Sequence, residues 1–129
     1  MSHLQVTLDC ETTGLDANRD ELLEIAIVDH TGAALVNSLI KPSPANPIWP
    51  EAEAIHGITP EMVANAPALS EISTQIEAAV NGKDVIIYNS GFDAAFLGPL
   101  LSSANSIQCC MEHWAEHIGE WSEYRVFLK

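Results

Sequence analysis

Apolar and polar positions alternate strictly at the start of the chain. Over residues 4–11, Leu4, Val6, Leu8 and Cys10 fall on one face of an extended strand, and Gln5, Thr7, Asp9 and Glu11 fall on the other. The Thr12-Thr13-Gly14 run ends this strand, and residues 16–20 form a polar loop. Residues 22–28 are apolar apart from Glu24 and read as a buried second strand, after which residues 29–32 turn the chain. Residues 33–40 give a third strand. The opening therefore predicts an antiparallel three-stranded meander.

The pattern then changes. Residues 41–50 carry four of the seven prolines and predict an irregular connection, with Pro50 placed to open a short helix over residues 51–55. Thr59-Pro60-Glu61 marks a second helix start, with a threonine N-cap, proline at the first helical position and an acid in the first turn. Ser70 is the expected cap of a longer helix in which Ile72, Ile76 and Val80 recur every four residues, and Asn81-Gly82 stops it. Residues 84–88 form a compact buried strand. An Asn89-Ser90-Gly91 turn then leads into a helix with Phe92, Phe96 and Leu100 on one face. Residues 107–111 fit either strand or helix, residues 112–118 read as an amphipathic helix, and the pattern fades from Gly119. There are no repeats or low-complexity segments. The order predicts an α/β fold, a mixed sheet with helices packed on it.

Composition narrows the class. The 129 residues, 47% of them apolar, suit one globular domain. No apolar run approaches the ~20 residues of a membrane span, and Met-Ser-His lacks the basic and apolar regions of a signal peptide. A soluble, cytoplasmic protein with no membrane partner is the expectation. Of the three cysteines, Cys10 lies on the buried strand face and Cys109-Cys110 are adjacent, which suits neither a disulfide framework nor a zinc spacing. The net charge of −13, with five lysines and arginines in total, excludes a protein that coats DNA or RNA by neutralising many phosphates. The shortage of cations also points away from long nucleic acids and toward short ends.

Candidate chemistry begins with Asp9 and Glu11. Two carboxylates side by side at a strand end are either a solvated edge or a ligand pair for a hard divalent cation, which takes oxygen donors of this kind. A metal site at a strand end tolerates the acidic balance, because the ion supplies the local positive charge. Asp93 stands in the first turn of the helix after residues 84–88. It serves there either to complement the helix N-terminus or to converge with Asp9 and Glu11 where two strand ends meet.

These residues carry a family resemblance. Asp9-Cys10-Glu11-Thr12-Thr13-Gly14-Leu15 resembles the first motif of the DEDD 3′–5′ exonuclease superfamily, of the proofreading-subunit and ribonuclease T type. Tyr88-Asn89-Ser90-Gly91-Phe92-Asp93-Ala94-Ala95-Phe96-Leu97 resembles its second motif, and Ile55-His56-Gly57-Ile58-Thr59-Pro60-Glu61-Met62-Val63 the segment between them. The resemblance implies a ribonuclease H-like fold and hydrolysis of phosphodiesters at nucleic-acid 3′ ends by two Mg²⁺ or Mn²⁺ ions about 4 Å apart. By the same resemblance Asp9 bridges both ions, Glu11 holds the ion beside the attacking water, and Asp93 holds the other. Thr12, Thr13 and Leu15 are then expected at the terminal nucleotide, and His56 and Asn89 on the substrate side or ordering the loops. No residue distinguishes DNA from RNA.

The pattern departs from the superfamily in its last part. The third motif is a histidine, the general base, followed five residues later by a fourth metal-binding aspartate. No aspartate follows Asp93; Ile118 and Ser122 stand five residues after His113 and His117. Glu123 lies six residues after His117. Residues 1–129 are therefore expected to be one exonuclease-like domain, incomplete at the C-terminus. Loss of a positioned base costs roughly 10² to 10⁴ in rate, so the expected hydrolysis is weak or absent. The alternative is a non-catalytic remnant that acts as an interaction module. An incomplete domain would uncover apolar surface, which predicts a homodimer.

Overall fold

The computed structural model describes residues 4–88 and 90–109. Asn89, Cys110, the expected helix over residues 112–118 with His113 and His117, and everything beyond it lie outside the described residues.

Five strands form one sheet: β1 (Gln5–Thr12), β2 (Leu22–Asp29), β3 (Ala34–Leu39), β4 (Asp84–Ile87) and β5 (Ser106–Cys109). The spatial order is β3-β2-β1-β4-β5. The first three strands pair antiparallel, as the meander predicts, while β4 runs parallel to both β1 and β5. Of the segment over residues 107–111, open between strand and helix in the sequence, residues 107–109 fall in β5 (Ser106–Cys109) and the rest lies outside the described residues.

Alternation along β1 turns into burial. Val6, Leu8 and Cys10 are buried while Gln5, Thr7 and Asp9 are exposed. In register, Leu8 faces Ile27 of β2 and Ile87 of β4, and Cys10 faces Ile25. These residues meet Ile72, Ile76 and Val80 of α3 (Leu69–Val80) in the main core. Leu4 departs from the expected apolar face; it precedes the strand and is 54% exposed.

A β-bulge lies where β1 ends. Glu11 faces Glu24 and Thr12 faces Leu22, so Leu23 has no opposite residue. The bulge sends Leu22 into the main core and Leu23 into a second cluster with Trp49, Ile58 and Val63. That second cluster anchors α1 (Pro50–His56) and the single turn α2 (Pro60–Val63) beside the end of β1. Both helices begin at the expected prolines, and the Thr59 hydroxyl accepts from the Met62 amide at 3.2 Å.

Three helix boundaries differ from expectation, the first being that α4 (Ser90–Leu97) begins inside the expected Asn89-Ser90-Gly91 turn. Ser70 is not a cap: α3 begins at Leu69, Ala68 holds the N-cap position without a side-chain bond, and the Ser70 carbonyl accepts from the Ser73 hydroxyl. The Pro67 carbonyl accepts from the Lys41 amide at 2.8 Å, so the chain is pinned to the sheet before Ser70 is reached. α4 (Ser90–Leu97) stops before Leu100 because Gly98 takes φ +52° and Pro99 follows. Leu100 still packs on the core from a 3₁₀ turn over Gly98–Leu101. Among the described residues no helix is long and apolar enough to cross a membrane.

Candidate active site

Parallel pairing of β1 with β4 sets the C-terminal ends of both strands at one margin of the sheet, where open α/β sheets hold their ligands. Asp9 and Glu11 leave the end of β1, and Asp93 enters from the first turn of α4, just beyond β4. All three line one cleft of about 740 Å³. Asp9 is exposed, Glu11 half-buried and Asp93 only 6% exposed. The cleft also takes in Thr12, Thr13, Leu15 and His56, so every predicted site residue within the described residues reaches it.

Electrostatics give a second measure of this convergence. Burial pushes the Cys10 thiol far above its ordinary range, and the charges of Asp93, Asp9, Glu11 and Glu24 add to the push. Cys10 therefore stays a neutral thiol beneath the acids. Glu11 also faces Glu24 directly across the β1–β2 ladder, and like charges opposed in this way are destabilising. Each carboxylate contributes an oxygen donor, and a protonated thiol is a poor competitor, so the donor set suits a hard divalent cation. Among the described residues no three His, Cys, Asp or Glu side chains already form a ligand group around one point. The fit lies in the donor chemistry and in the shared cleft.

Hydrogen bonds commit the neighbouring side chains. The Thr12 hydroxyl donates to the Gly14 carbonyl at 2.6 Å. The Thr13 hydroxyl donates to Asp20 Oδ1 at 3.0 Å and accepts from the Glu21 amide at 3.0 Å. Both threonines are 7% exposed, so their hydroxyls shape the loop from within it. Leu15, at the loop tip, is 87% exposed and does not fold back on the core. His56 Nδ1 accepts from the Ile58 amide at 3.0 Å, which leaves Nε2 protonated and donating to the Thr12 carbonyl at 3.0 Å. Trp49 Nε1 donates to the Ile58 carbonyl at 2.8 Å and steadies the same segment.

Sequence reasoning missed Asp20, Ile55 and the cleft face of Phe92. Asp20 braces Thr13 and accepts from the Asp16 amide at 3.0 Å, and its carboxylate lies over Gly14. The glycine following two threonines was the available signal: an added Cβ at Gly14 would stand 2.4 Å from Asp20 Oδ2. Ile55 is 74% exposed at the cleft, although the sequence marked it only as the end of a short helix and the start of the segment between the two motifs. Phe92 packs against Phe96 in a tilted pair, with ring centroids 5.0 Å apart, and also lines the cleft.

A mixed sheet with antiparallel and parallel pairs and helices packed on it, with the cleft at the ends of its central parallel strands, is a ribonuclease H-like fold. The chain belongs to the RNase_T exonuclease family, whose model matches residues 6–113. It is 38% identical to the uncharacterized exonuclease CP81 of Escherichia phage 186, over 95% of this chain and 68% of that protein. It is 34% identical to the DNA polymerase III epsilon subunit of Pasteurella multocida, over 72% of this chain and 40% of the relative. Exonuclease I from Methylocaldum szegediense superposes with a TM-score of 0.73 at 25% identity, over 89% of this chain and 30% of that one. E. coli exonuclease I in complex with a dT13 oligonucleotide superposes with a TM-score of 0.75 at 17% identity, over 89% of this chain and 29% of that one. The chain thus spans well under half of the polymerase subunit and of the exonuclease I chains.

Proposed function

We propose that this chain is a divalent-metal-dependent 3′–5′ exonuclease domain that hydrolyses phosphodiesters at nucleic-acid 3′ ends in the cytoplasm. The observation that carries the reading is the meeting of Asp9, Glu11 and Asp93 in one cleft at the ends of β1 and β4. The family match, the polymerase epsilon relative and the oligonucleotide complex of the structural neighbour support a nucleic-acid substrate. Asp9, Glu11 and Asp93 are the residues to hold Mg²⁺ or Mn²⁺. When bound, two such ions would ease formation of the attacking hydroxide and steady charge on the departing 3′ oxygen.

The remaining residues position and exclude. His56 holds the Thr12 carbonyl, and with it the backbone beside Glu11, against α1. Leu15 offers an apolar side chain to the terminal base, with Thr12 and Thr13 fixing the loop behind it. Asn89, between Tyr88 and α4, is assigned to the substrate side from its motif alone. Burial first, and the neighbouring carboxylates second, keep the Cys10 thiol protonated beneath this oxygen-rich cleft.

No H-x-x-x-x-D occurs in these 129 residues, and on that ground the chain by itself is a slow nuclease. The same observation supports the second reading, a non-catalytic exonuclease fold acting as an interaction module. We also propose a homodimer, because Ile107 on β5 and Leu35 on β3 leave apolar surface on strands at the two margins of the described sheet. Light scattering that gives a monomer at micromolar concentration removes that proposal.

Mn²⁺-dependent digestion of a 3′-labelled single-stranded oligonucleotide tests the main reading, with Asp9→Ala as control. Shortening from the 3′ end that Asp9→Ala abolishes supports it. Intact oligonucleotide with folded protein favours the interaction module.

A further inference from the structure

Resting on the nuclease reading, we propose that Glu24 on β2 is a positioning residue for the metal. It directs the Glu11 carboxylate toward the cleft and adds its own negative charge to the field that draws a divalent cation there. Glu24 stands directly opposite Glu11, one strand over, and is not among the residues that wall the cleft. It therefore acts through Glu11 and through its charge, not as a ligand.

Packing gives no reason for an acid at this place. Along β2 every residue before the terminal Asp29 is apolar except Glu24, which is half-buried. Its neighbour across the ladder on β3 is Leu39, and its neighbour on β1 is Glu11. Like charges directly opposite one another destabilise a ladder, so an uncharged residue of the same size would serve the sheet better. A cation beside Glu11 reverses that balance, because both carboxylates are then attracted to it.

Register sets the direction of the push. Residues two apart on a strand share a sheet face, and so do directly opposed residues. Asp9, Glu11 and Glu24 therefore share one face, with Glu24 opposite Glu11 at a Cβ separation of roughly 4.5–5.5 Å and diagonal to Asp9 at roughly 7–8 Å. Ala26, opposite Asp9, brings only a methyl group to this corner. The strand order places β1 between β2 and β4, so repulsion from Glu24 drives the Glu11 carboxylate away from β2, toward the side on which Asp93 enters. Cys10 records the reach of the Glu24 charge: after burial, its thiol is raised by Asp93, Asp9, Glu11 and Glu24 together. One charge on β2 thus acts on the same region as the three candidate ligands.

The test is calorimetric titration of Mn²⁺ into the full chain, paired with thermal melts in EDTA. Glu24→Gln keeps the size and removes the charge. It should raise the Mn²⁺ dissociation constant roughly three- to tenfold, the range for a charge about 8 Å from a divalent ion in a largely aqueous field. Without metal, the same variant should melt no lower than the wild type, since a repulsion has been removed. Glu24→Asp restores the charge and should bind Mn²⁺ within about twofold of the wild type. Glu77→Gln makes the same change in net charge at an exposed site on α3, which packs on the opposite face of the sheet, and should leave Mn²⁺ binding unaltered. Equal effects of Glu24→Gln and Glu77→Gln overturn the inference, as does a Glu24→Gln protein that melts lower yet binds Mn²⁺ like the wild type. A loss beyond about a hundredfold also overturns it, because a charge at that distance supplies too little and direct ligation would be required. Wild-type binding that Asp9→Asn abolishes and Glu24→Gln leaves unchanged removes this inference alone; a wild type that binds no Mn²⁺ removes the metal-dependent nuclease reading with it.

Discussion

His56 Nε2 stands 3.0 Å from the Thr12 carbonyl oxygen, and its Nδ1 accepts from the Ile58 amide at the same distance. One neutral ring thus ties the end of α1 to the backbone step after Glu11. His56→Ala should lower stability by about 1–2 kcal/mol, the range for a lost hydrogen bond with an amide left unsatisfied. It should also raise KM for an oligonucleotide more than it lowers kcat, because it loosens a cleft wall. His56→Gln, which keeps a donor on a side chain of similar reach, should recover most of the KM. Equal losses in the two variants would argue that the ring serves packing alone.

Asp9 and Asp93 should govern the response to metal. Ligand that binds the native state at about 100 times its dissociation constant adds about 2.7 kcal/mol, so Mn²⁺ should raise the melting temperature of the wild type. Asp9→Asn and Asp93→Asn should lose that rise. Without metal, Asp9→Asn should melt no lower than the wild type, because an exposed carboxylate in an acidic cluster contributes repulsion. Differential scanning fluorimetry with and without EDTA separates the two effects.

Gly14 and Asp20 should behave as a coupled pair. Gly14→Ala drives a Cβ into a carboxylate that is held by the Thr13 hydroxyl and the Asp16 amide, so its cost is about that of breaking those bonds, 1–3 kcal/mol. Asp20→Ala already forfeits them. The double variant should therefore be less destabilised than the sum of the singles by about 1 kcal/mol or more. Additivity in chemical denaturation would rule out the clash as the cause.

Glu21 should shape the acid limb of stability. Burial acts to raise its carboxyl, and hydrogen bonds from Asn46 and from the amide and hydroxyl of Ser43 outweigh burial and hold it below the usual range. A carboxyl lowered by folding stabilises above its unfolded value and loses that contribution as the pH falls through its folded value. Glu21→Gln should therefore melt below the wild type at neutral pH, with the gap closing below about pH 4. A gap that stays constant with pH would show that the ionised carboxylate is not the source.

Much of this was legible in the sequence because local rules carried it. Alternation fixed the faces of β1, and prolines at positions 50 and 60 opened α1 and α2 where expected. The convergence of Asp9, Glu11 and Asp93 was legible through motif resemblance, since neither acid pattern alone says which strands are neighbours. The misses came from tertiary contacts that override local preference. Ser70 lost its capping role to a chain pinned at Pro67, and Gly98-Pro99 cut a helix whose apolar spacing ran on to Leu100. The Asp20 brace depends on a loop folding back on itself, and the exposure of Ile55 on which way a two-turn helix faces; neither has a periodic signature.

The parallel pairing of β1 with β4 also sets when the site can exist. Asp9 and Asp93 lie far apart in the chain, and the parallel ladder that brings their strands together is a non-local pairing, which should close late in folding. A refolding chain should acquire its Mn²⁺ response in its slowest structural phase, together with burial of Val85 and Ile87. Metal added early then has nothing to nucleate on. On the nuclease reading proposed above, cation binding should then act as a clock for the completion of folding, and any lesion that delays β4 should withhold the third carboxylate of the cleft while leaving the first hairpins formed.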